Sequence, residues 1–195
     1  MKHGGPSAFG SPYRLISSAV IPRPIAWISS QDEAGVLNLA PFSFNNVVSH
    51  EPPIMMVATV GTGDDLKDTG RNILETSEYV HNVVTDDLAE QMNASSATLP
   101  PEESEFEHAG VTPGECEEVD VPRVEEAHVS LEMRLYDHME VGSSTMILGE
   151  VVYAHIDDDL LTDGKLDVTK LEATGRIAGG YYCHTGDRFH MERPP

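Results

Sequence analysis

Residues 128–156 read HVSLEMRLYDHMEVGSSTMILGEVVYAHI, and this stretch decides the fold. Over 128–136, Val129, Leu131, Met133 and Leu135 alternate with other residues. That is the period of a half-exposed strand with one apolar face. Residues 145–156 are apolar and rich in β-branched side chains, which predicts a second long strand. Only a short turn at Gly142-Ser143 joins the two. A parallel pair needs a crossover of a dozen or more residues, so these strands form an antiparallel hairpin.

Similar segments lie upstream. Residues 25–30 (IAWISS) read as a strand, and the turn signal Asp32-Glu33-Ala34-Gly35 leads to a hairpin partner over 36–43. Pro41 in that partner forces a bulge or an edge position. An irregular link ends at Pro52-Pro53, and 54–60 (IMMVATV) is a buried strand by length and branching, though periodicity alone leaves a helix open. Asp68 or Thr69 is placed to cap a short helix running to Thr76, with Ile73 and Leu74 as its apolar contacts. Residues 79–85 give another strand and 86–95 a helix. Residues 99–120, rich in Pro, Gly and acid, read as a surface excursion with one short helix near Phe106. The Gly-rich segment 174–182 ends in aromatics. Six or seven strands with antiparallel connections and peripheral helices predict a mainly β protein, a barrel rather than a βαβ sheet, in one domain spanning 1–195.

The chain carries 33 Asp and Glu against 12 Lys and Arg, a net charge of −21, with the acids spread along its length. Such a surface repels itself in dilute buffer and is screened at about 1 M salt, where the Debye length is about 3 Å. It suits the salty cytoplasm of a halophile. The same charge argues against nucleic acid and anionic membranes as partners. The segment MKHGGPSAFG lacks the apolar core of a signal peptide, and the longest apolar runs are too short to span a bilayer. With two cysteines and no disulfide framework, the expectation is a soluble cytoplasmic protein.

Lys67 and Arg71, in LKDTGRN (residues 66–72), are the only Lys or Arg between Arg23 and Arg123, a stretch holding nineteen acids. A helix starting near Asp68 aims free N–H groups past Thr69 and Gly70, a ready site for an anion. Lys67 adds a charge, Thr69 a hydroxyl and Gly70 room for close approach. A charged helix start held in local ion pairs is the other reading. Arg23, between Pro22 and Pro24, is presented on stiff chain. It suits either a planar or anionic partner or a plain surface turn. Asn38–Asn46 (NLAPFSFNN) offers backbone groups to the edge of a heterocycle, or is a bulged edge strand. Cys183, His184 and His190 lack the paired spacing and fourth ligand of a metal site, so no metal is expected. Trp27 reads as core.

In order, the segments R-P-I-A-W-I-S-S, G-x-x-N-x-A-P-F-S-F, E-P-P-I-M-M, K-D-T-x-x-N-I, E-Y-V-x-N, E-F-E-x-A-G, L-G-E-V and G-R-I-x-G-G-Y-Y run from Ile21 to Tyr182. This closely resembles the flavin reductase-like, FMN-binding split-barrel family, in its flavoredoxin-like branch. The resemblance implies a Greek-key split β-barrel, usually a homodimer, with FMN near the subunit interface. By motif, Ser29 and Ser30 lie at the flavin, as does the segment Asn38, Ala40, Pro41, Phe42 and Ser43, largely through its backbone. Lys67 and Thr69 bind the phosphate, Arg176 lies near the same pocket, and Arg23 is a further contact; no catalytic residue is singled out. Asn45 departs from an aromatic common after S-F, and His50-Glu51 from a small-acidic pair. The implied activity is an FMN-dependent oxidoreductase that accepts a hydride from NADH or NADPH and reduces free flavin, iron or another acceptor. The alternatives are an FMN-binding electron carrier or flavin-storage protein, and a barrel that has lost the site and acts as an interaction module.

Overall fold

A computed structural model describes residues 1–100 and 103–194, so positions 101 and 102 of the expected 99–120 excursion, and Pro195 of the expected domain, lie outside the described residues. Helix α1 (Pro12–Ala19) comes first, begun by a Ser11 side chain that accepts from Arg14 N and by Pro12 at its first position. Strands β1 (Ala26–Gln31), β2 (Leu37–Phe42), β3 (Asn45–His50) and β4 (Pro53–Val60) follow. Then come α2 (Asp68–Thr76), β5 (Glu78–Val83), α3 (Ala89–Ala94) and α4 (Glu105–Ala109). A two-residue ribbon pairs β6 (Pro113–Gly114) with β7 (Arg123–Val124). The expected long hairpin is β8 (Val129–Val141) with β9 (Ser144–Ile156). Two more ribbons complete the chain, β10 (Leu161–Thr162) with β11 (Lys165–Leu166) and β12 (Thr174–Arg176) with β13 (Tyr182–His184).

Among the described residues seven strands form one sheet in the order β2-β1-β5-β8-β9-β4-β3, and each pairing within it is antiparallel. Strands β2 and β3 occupy its two ends, yet only Ser43 and Phe44 separate them in sequence. The sheet must therefore curl until its edges meet at that corner, and their failure to pair along their length is the split of the barrel. Asn45 holds the corner: its buried amide donates to the carbonyls of Pro24 (2.9 Å) and Phe42 (2.7 Å). That is a structural use for the residue that departs from the family's aromatic.

Alternation along the strands separates two cores. Ala26, Ile28, Val57, Ile73, Tyr79, Met133 and Ile147 fill the barrel interior. Ile25, Trp27, Leu39, Val84, Leu88, Met92 and Phe106 pack between the other face of β1–β2 and helices α3 and α4. Trp27 is fully buried, as expected for a core residue, and its indole N–H donates to Ser95 Oγ at 2.8 Å.

Four expectations are corrected. The link before Pro52-Pro53 is strand β3, whose exposed Val47 and Val48 gave no alternating pattern. The cap of α2 is Lys67, without a side-chain cap bond, rather than Asp68 or Thr69. The 99–120 segment is no mere surface excursion, since Phe106, Ala109, Val111 and Val119 are buried. Glu132, on the expected exposed face of β8, is fully buried because that same segment covers it.

Candidate flavin site

Most of the sequence-predicted residues fall into two groups, Ser30, Asn38, Lys67 and Thr69 on one face of the β1–β2 hairpin and Pro41, Ser43 and Arg176 on the other. Ser30 faces Asn38 in the register of that hairpin, and Asn38 Nδ2 donates to Ser30 Oγ at 3.1 Å and to Thr69 Oγ1 at 2.8 Å. Asn72 Nδ2 also donates to Ser30 Oγ, at 3.3 Å. Thr69 and Asn72 are three residues apart on α2 and so share the face turned to the sheet. Ser30, Thr69 and Asn72 are buried, Asn38 is half-buried and Lys67 is exposed beside them. The N–H groups of Asp68, Thr69 and Gly70 lie in the first turn of α2, which has no intrahelical acceptors for them. Asn72 belongs to the K-D-T-x-x-N-I motif but went unassigned in the sequence; its spacing from Thr69 was the signal.

Two neighbours of this cluster do not join it. Arg71 pairs with Asp68 at 3.0 Å and donates to the Leu66 carbonyl at 2.9 Å, so the local ion-pair reading holds for this residue. The space over Gly70 is filled by the protein, because a Cβ there would stand 2.7 Å from both Leu66 Cδ1 and Thr59 Oγ1. Glycine serves the packing of α2 on β4, not the approach of an anion. A cleft of about 180 Å³ on the Arg71 flank is lined by Asn38, Arg71 and Asn72 together with the carboxylates of Asp32, Asp68, Glu75, Glu103 and Glu105, which leave its lining net negative. Burial pushes the Glu105 carboxyl up, and Glu105 Oε2 accepts from Leu39 N at 3.2 Å.

The second group lines a cleft of about 570 Å³ with Tyr13, Ile25, Pro41, Ser43, Met92 and Asn93 among its walls, and Arg176 and Tyr182 at one side. Its size falls in the range of small-molecule sites, about 300–1,000 Å³. The Arg176 guanidinium lies 4.5 Å from the Tyr182 ring centroid and donates to Tyr182 Oη and to the Gly179 carbonyl. Tyr182 Oη donates in turn to Asn93 Oδ1 at 3.2 Å. β2 is an edge strand, as Pro41 predicts. Leu39 turns its N–H outward to Glu105, and Pro41, two residues on, has no N–H to offer another strand. Ala40 and Phe42 are half-buried, and Phe42 packs on the barrel interior.

Arg23 and Ser29 join neither group. Arg23 is 7% exposed and its guanidinium donates to the carbonyls of Ser17 (2.5 Å), Val20 (2.6 Å) and Ile177 (2.7 Å), with a longer bond to Ser43 Oγ at 3.4 Å. It caps the C-terminal end of α1 and ties it to the chain after β12. Its backbone also bridges that of Arg176. Ser29 is fully buried and accepts from Asn82 Nδ2 at 3.3 Å.

Residues 17–171 match the family described as flavin reductase like domain. The chain belongs to the flavin reductase-like family. Its fold superposes on nitrilotriacetate monooxygenase component B from Bacillus cereus with a TM-score of 0.92, at 32% identity, covering 98% of each chain. It is similarly close to the 2-nitrobenzoate 2-nitroreductase NbaA of Pseudomonas fluorescens, with a TM-score of 0.90 at 30% identity over 99% of this chain and 96% of that one. A protein with a split barrel domain from Shewanella frigidimarina NCIMB 400 matches with a TM-score of 0.82 at 24% identity, over 100% and 98% of the two chains, and shows the shared fold. Among the described residues no helix is long and apolar enough to cross a membrane.

Proposed function

We propose that this flavin reductase-like chain is an FMN-binding oxidoreductase. It takes a hydride from NADH or NADPH and passes electrons to free flavin, iron or another acceptor. It works as a homodimer in a salty cytoplasm. The observation that carries the reading is the Ser30–Asn38–Thr69–Asn72 cluster at the start of α2, with Lys67 beside it.

The residues fit the cofactor. Ser30 and Thr69 accept from the two amides and keep hydroxyl protons to donate, and the α2 N-terminus adds N–H groups and a positive dipole end. Lys67 supplies a mobile charge, so a phosphate meets hydroxyl, N–H and ammonium donors together. Across β2, Pro41, Ile25, Met92 and Tyr182 give the apolar cover a flat heterocycle needs, with Ser43, Asn93 and Arg176 as polar groups at its rim. FMN, when bound, supplies hydride and one-electron chemistry. The chain contributes position and charge, with Arg176 as a cation in the lining of the cleft across β2.

The B. cereus and P. fluorescens proteins support an oxidoreductase, one as a monooxygenase component and the other as a nitroreductase. The test is to purify the protein in high salt and record its absorbance with and without added FMN. Flavin peaks are expected, and anaerobic NADH or NADPH should bleach them. Absence of flavin and of FMN uptake rejects the proposal. Bound flavin that neither nucleotide reduces marks an electron carrier or storage protein instead. The halophile reading predicts a thermal midpoint that climbs from dilute buffer to about 1 M KCl as surface repulsion is screened. A flat or falling midpoint removes it.

A further inference from the structure

Away from the flavin site, Cys116, Glu132 and His155 bring three ligand atoms within 4.8 Å of one another. Three separate parts of the chain supply them. Glu132 lies on β8 and His155 on β9. Ser130 pairs with His155, so Glu132 is the diagonal neighbour on the same face. Cys116 comes from the segment between β6 and β7, which folds over that face.

We propose that these three side chains form a site for one divalent transition-metal ion of the zinc class, with a water in the remaining position. Thiolate, imidazole and carboxylate are the borderline-soft donor set that zinc takes, and three protein ligands leave one place open. The carboxylate is already oriented for the task. Its Oε1 accepts from Glu117 N at 2.8 Å, and its Oε2 from Glu118 N at 2.6 Å and Val119 N at 3.0 Å. Such outer bonds are what fixes a metal-binding carboxylate.

His155 Nε2 sits 2.6 Å from Glu132 Oε1, and the thiol of Cys116 is turned to the same carboxylate. Protons thus occupy the place of a cation. Metal binding releases the thiol proton and moves the imidazole proton to Nδ1, leaving Glu132, the Cys116 thiolate and the divalent ion balanced in charge. Metal–nitrogen and metal–oxygen bonds of about 2.0–2.2 Å require the 2.6 Å contact to open by roughly 1 Å. His155 is partly exposed, with Tyr153 against its ring at 5.2 Å between centroids. Arg123, a cation near Cys116, is drawn off by Glu125 at 2.6 Å and by the Glu115 carbonyl at 3.2 Å. The exposed Glu117 and Glu118 keep the local field negative, although Arg134 engages Glu118. A bound ion would fasten the covering segment to β8 and β9.

The test is a titration of the chelator-treated full chain with Co²⁺ in high salt, comparing wild type, Cys183→Ser and His155→Gln. In Cys183→Ser the sole thiol is Cys116. One equivalent of Co²⁺ is expected to produce the near-ultraviolet charge-transfer absorption of a cobalt–thiolate bond in wild type and in Cys183→Ser alike. Zn²⁺ should abolish it, and His155→Gln should weaken binding tenfold or more. Binding without that band, as surface carboxylates give, overturns the site. So does its absence from protein shown to be folded by circular dichroism, or a band lost in Cys183→Ser. FMN uptake enters none of these outcomes, so the site and the flavin proposal stand or fall separately.

Discussion

Replacing Lys67 and Thr69 together by alanine is expected to lower FMN affinity roughly 100-fold. A hydrogen bond to a charged group contributes about 1.5–3 kcal/mol and a typical neutral one about 0.5–1.5 kcal/mol. At 1.4 kcal/mol per tenfold, losing both spans about 30-fold to over 1,000-fold, and salt pulls the lysine's share toward the low end. Arg71→Ala is the informative control. Its guanidinium is already engaged by Asp68 at 3.0 Å and the Leu66 carbonyl, so affinity should change no more than about threefold. Quenching of FMN fluorescence on titration at fixed salt measures both. Thr69→Ser keeps the hydroxyl and should bind nearly as wild type. This separates the contact from collapse of the Asn38–Thr69 bond, which melting of the cofactor-free protein also reports. Unchanged affinity in the double variant overturns the phosphate assignment. A larger loss in Arg71→Ala would move the anion to the acidic flank.

The strands were legible where the pattern was local. The β8–β9 hairpin needed only alternation and a glycine turn, and Pro41 announced an edge strand. β3 was not legible, because an exposed, polar strand at a sheet end buries little on either face. Helix α1 was missed although Ser11-Pro12 is a start signal; Tyr13, Ile16 and Val20 stand at helical spacing but are exposed, and among the helix residues only Ser17 is buried. At the site, Asn38 donates to both Ser30 and Thr69, a contact between distant segments. Motifs alone could not show that Arg23 spends its donors on carbonyls at Ser17, Val20 and Ile177, because the last of these is brought in by tertiary folding. Glu132 shows the same limit: periodicity assigned it to solvent, and only the return of the 115–121 segment buries it.

Glu132→Ala is expected to destabilise the metal-free protein by roughly 3–5 kcal/mol, the range for removing one partner from a buried charged network. For a chain of this length each kcal/mol moves the thermal midpoint by about 2–4 °C, so a drop on the order of 10 °C follows. The cost arises because the N–H groups of Glu117, Glu118 and Val119 lose their acceptor while remaining covered. Glu132→Gln keeps the volume but turns an NH₂ toward groups that themselves donate, so it too should be destabilising. The pH dependence has a definite sign. Burial raises the Glu132 carboxyl's pKa, but hydrogen bonds from Glu117, His155, Glu118 and Val119 outweigh it and hold the group below its ordinary value. A carboxyl depressed in the folded state contributes stability above its unfolded pKa, about 4.3, and loses it as pH falls through the folded value. Urea unfolding of wild type and variants should therefore show the gap at full width near neutrality and narrowing in acid below about pH 4. A gap under about 1 kcal/mol at neutral pH, or one that does not narrow, would mean that the covering segment is held by the packing of Val119 and Val121 against Val80 rather than by this carboxylate.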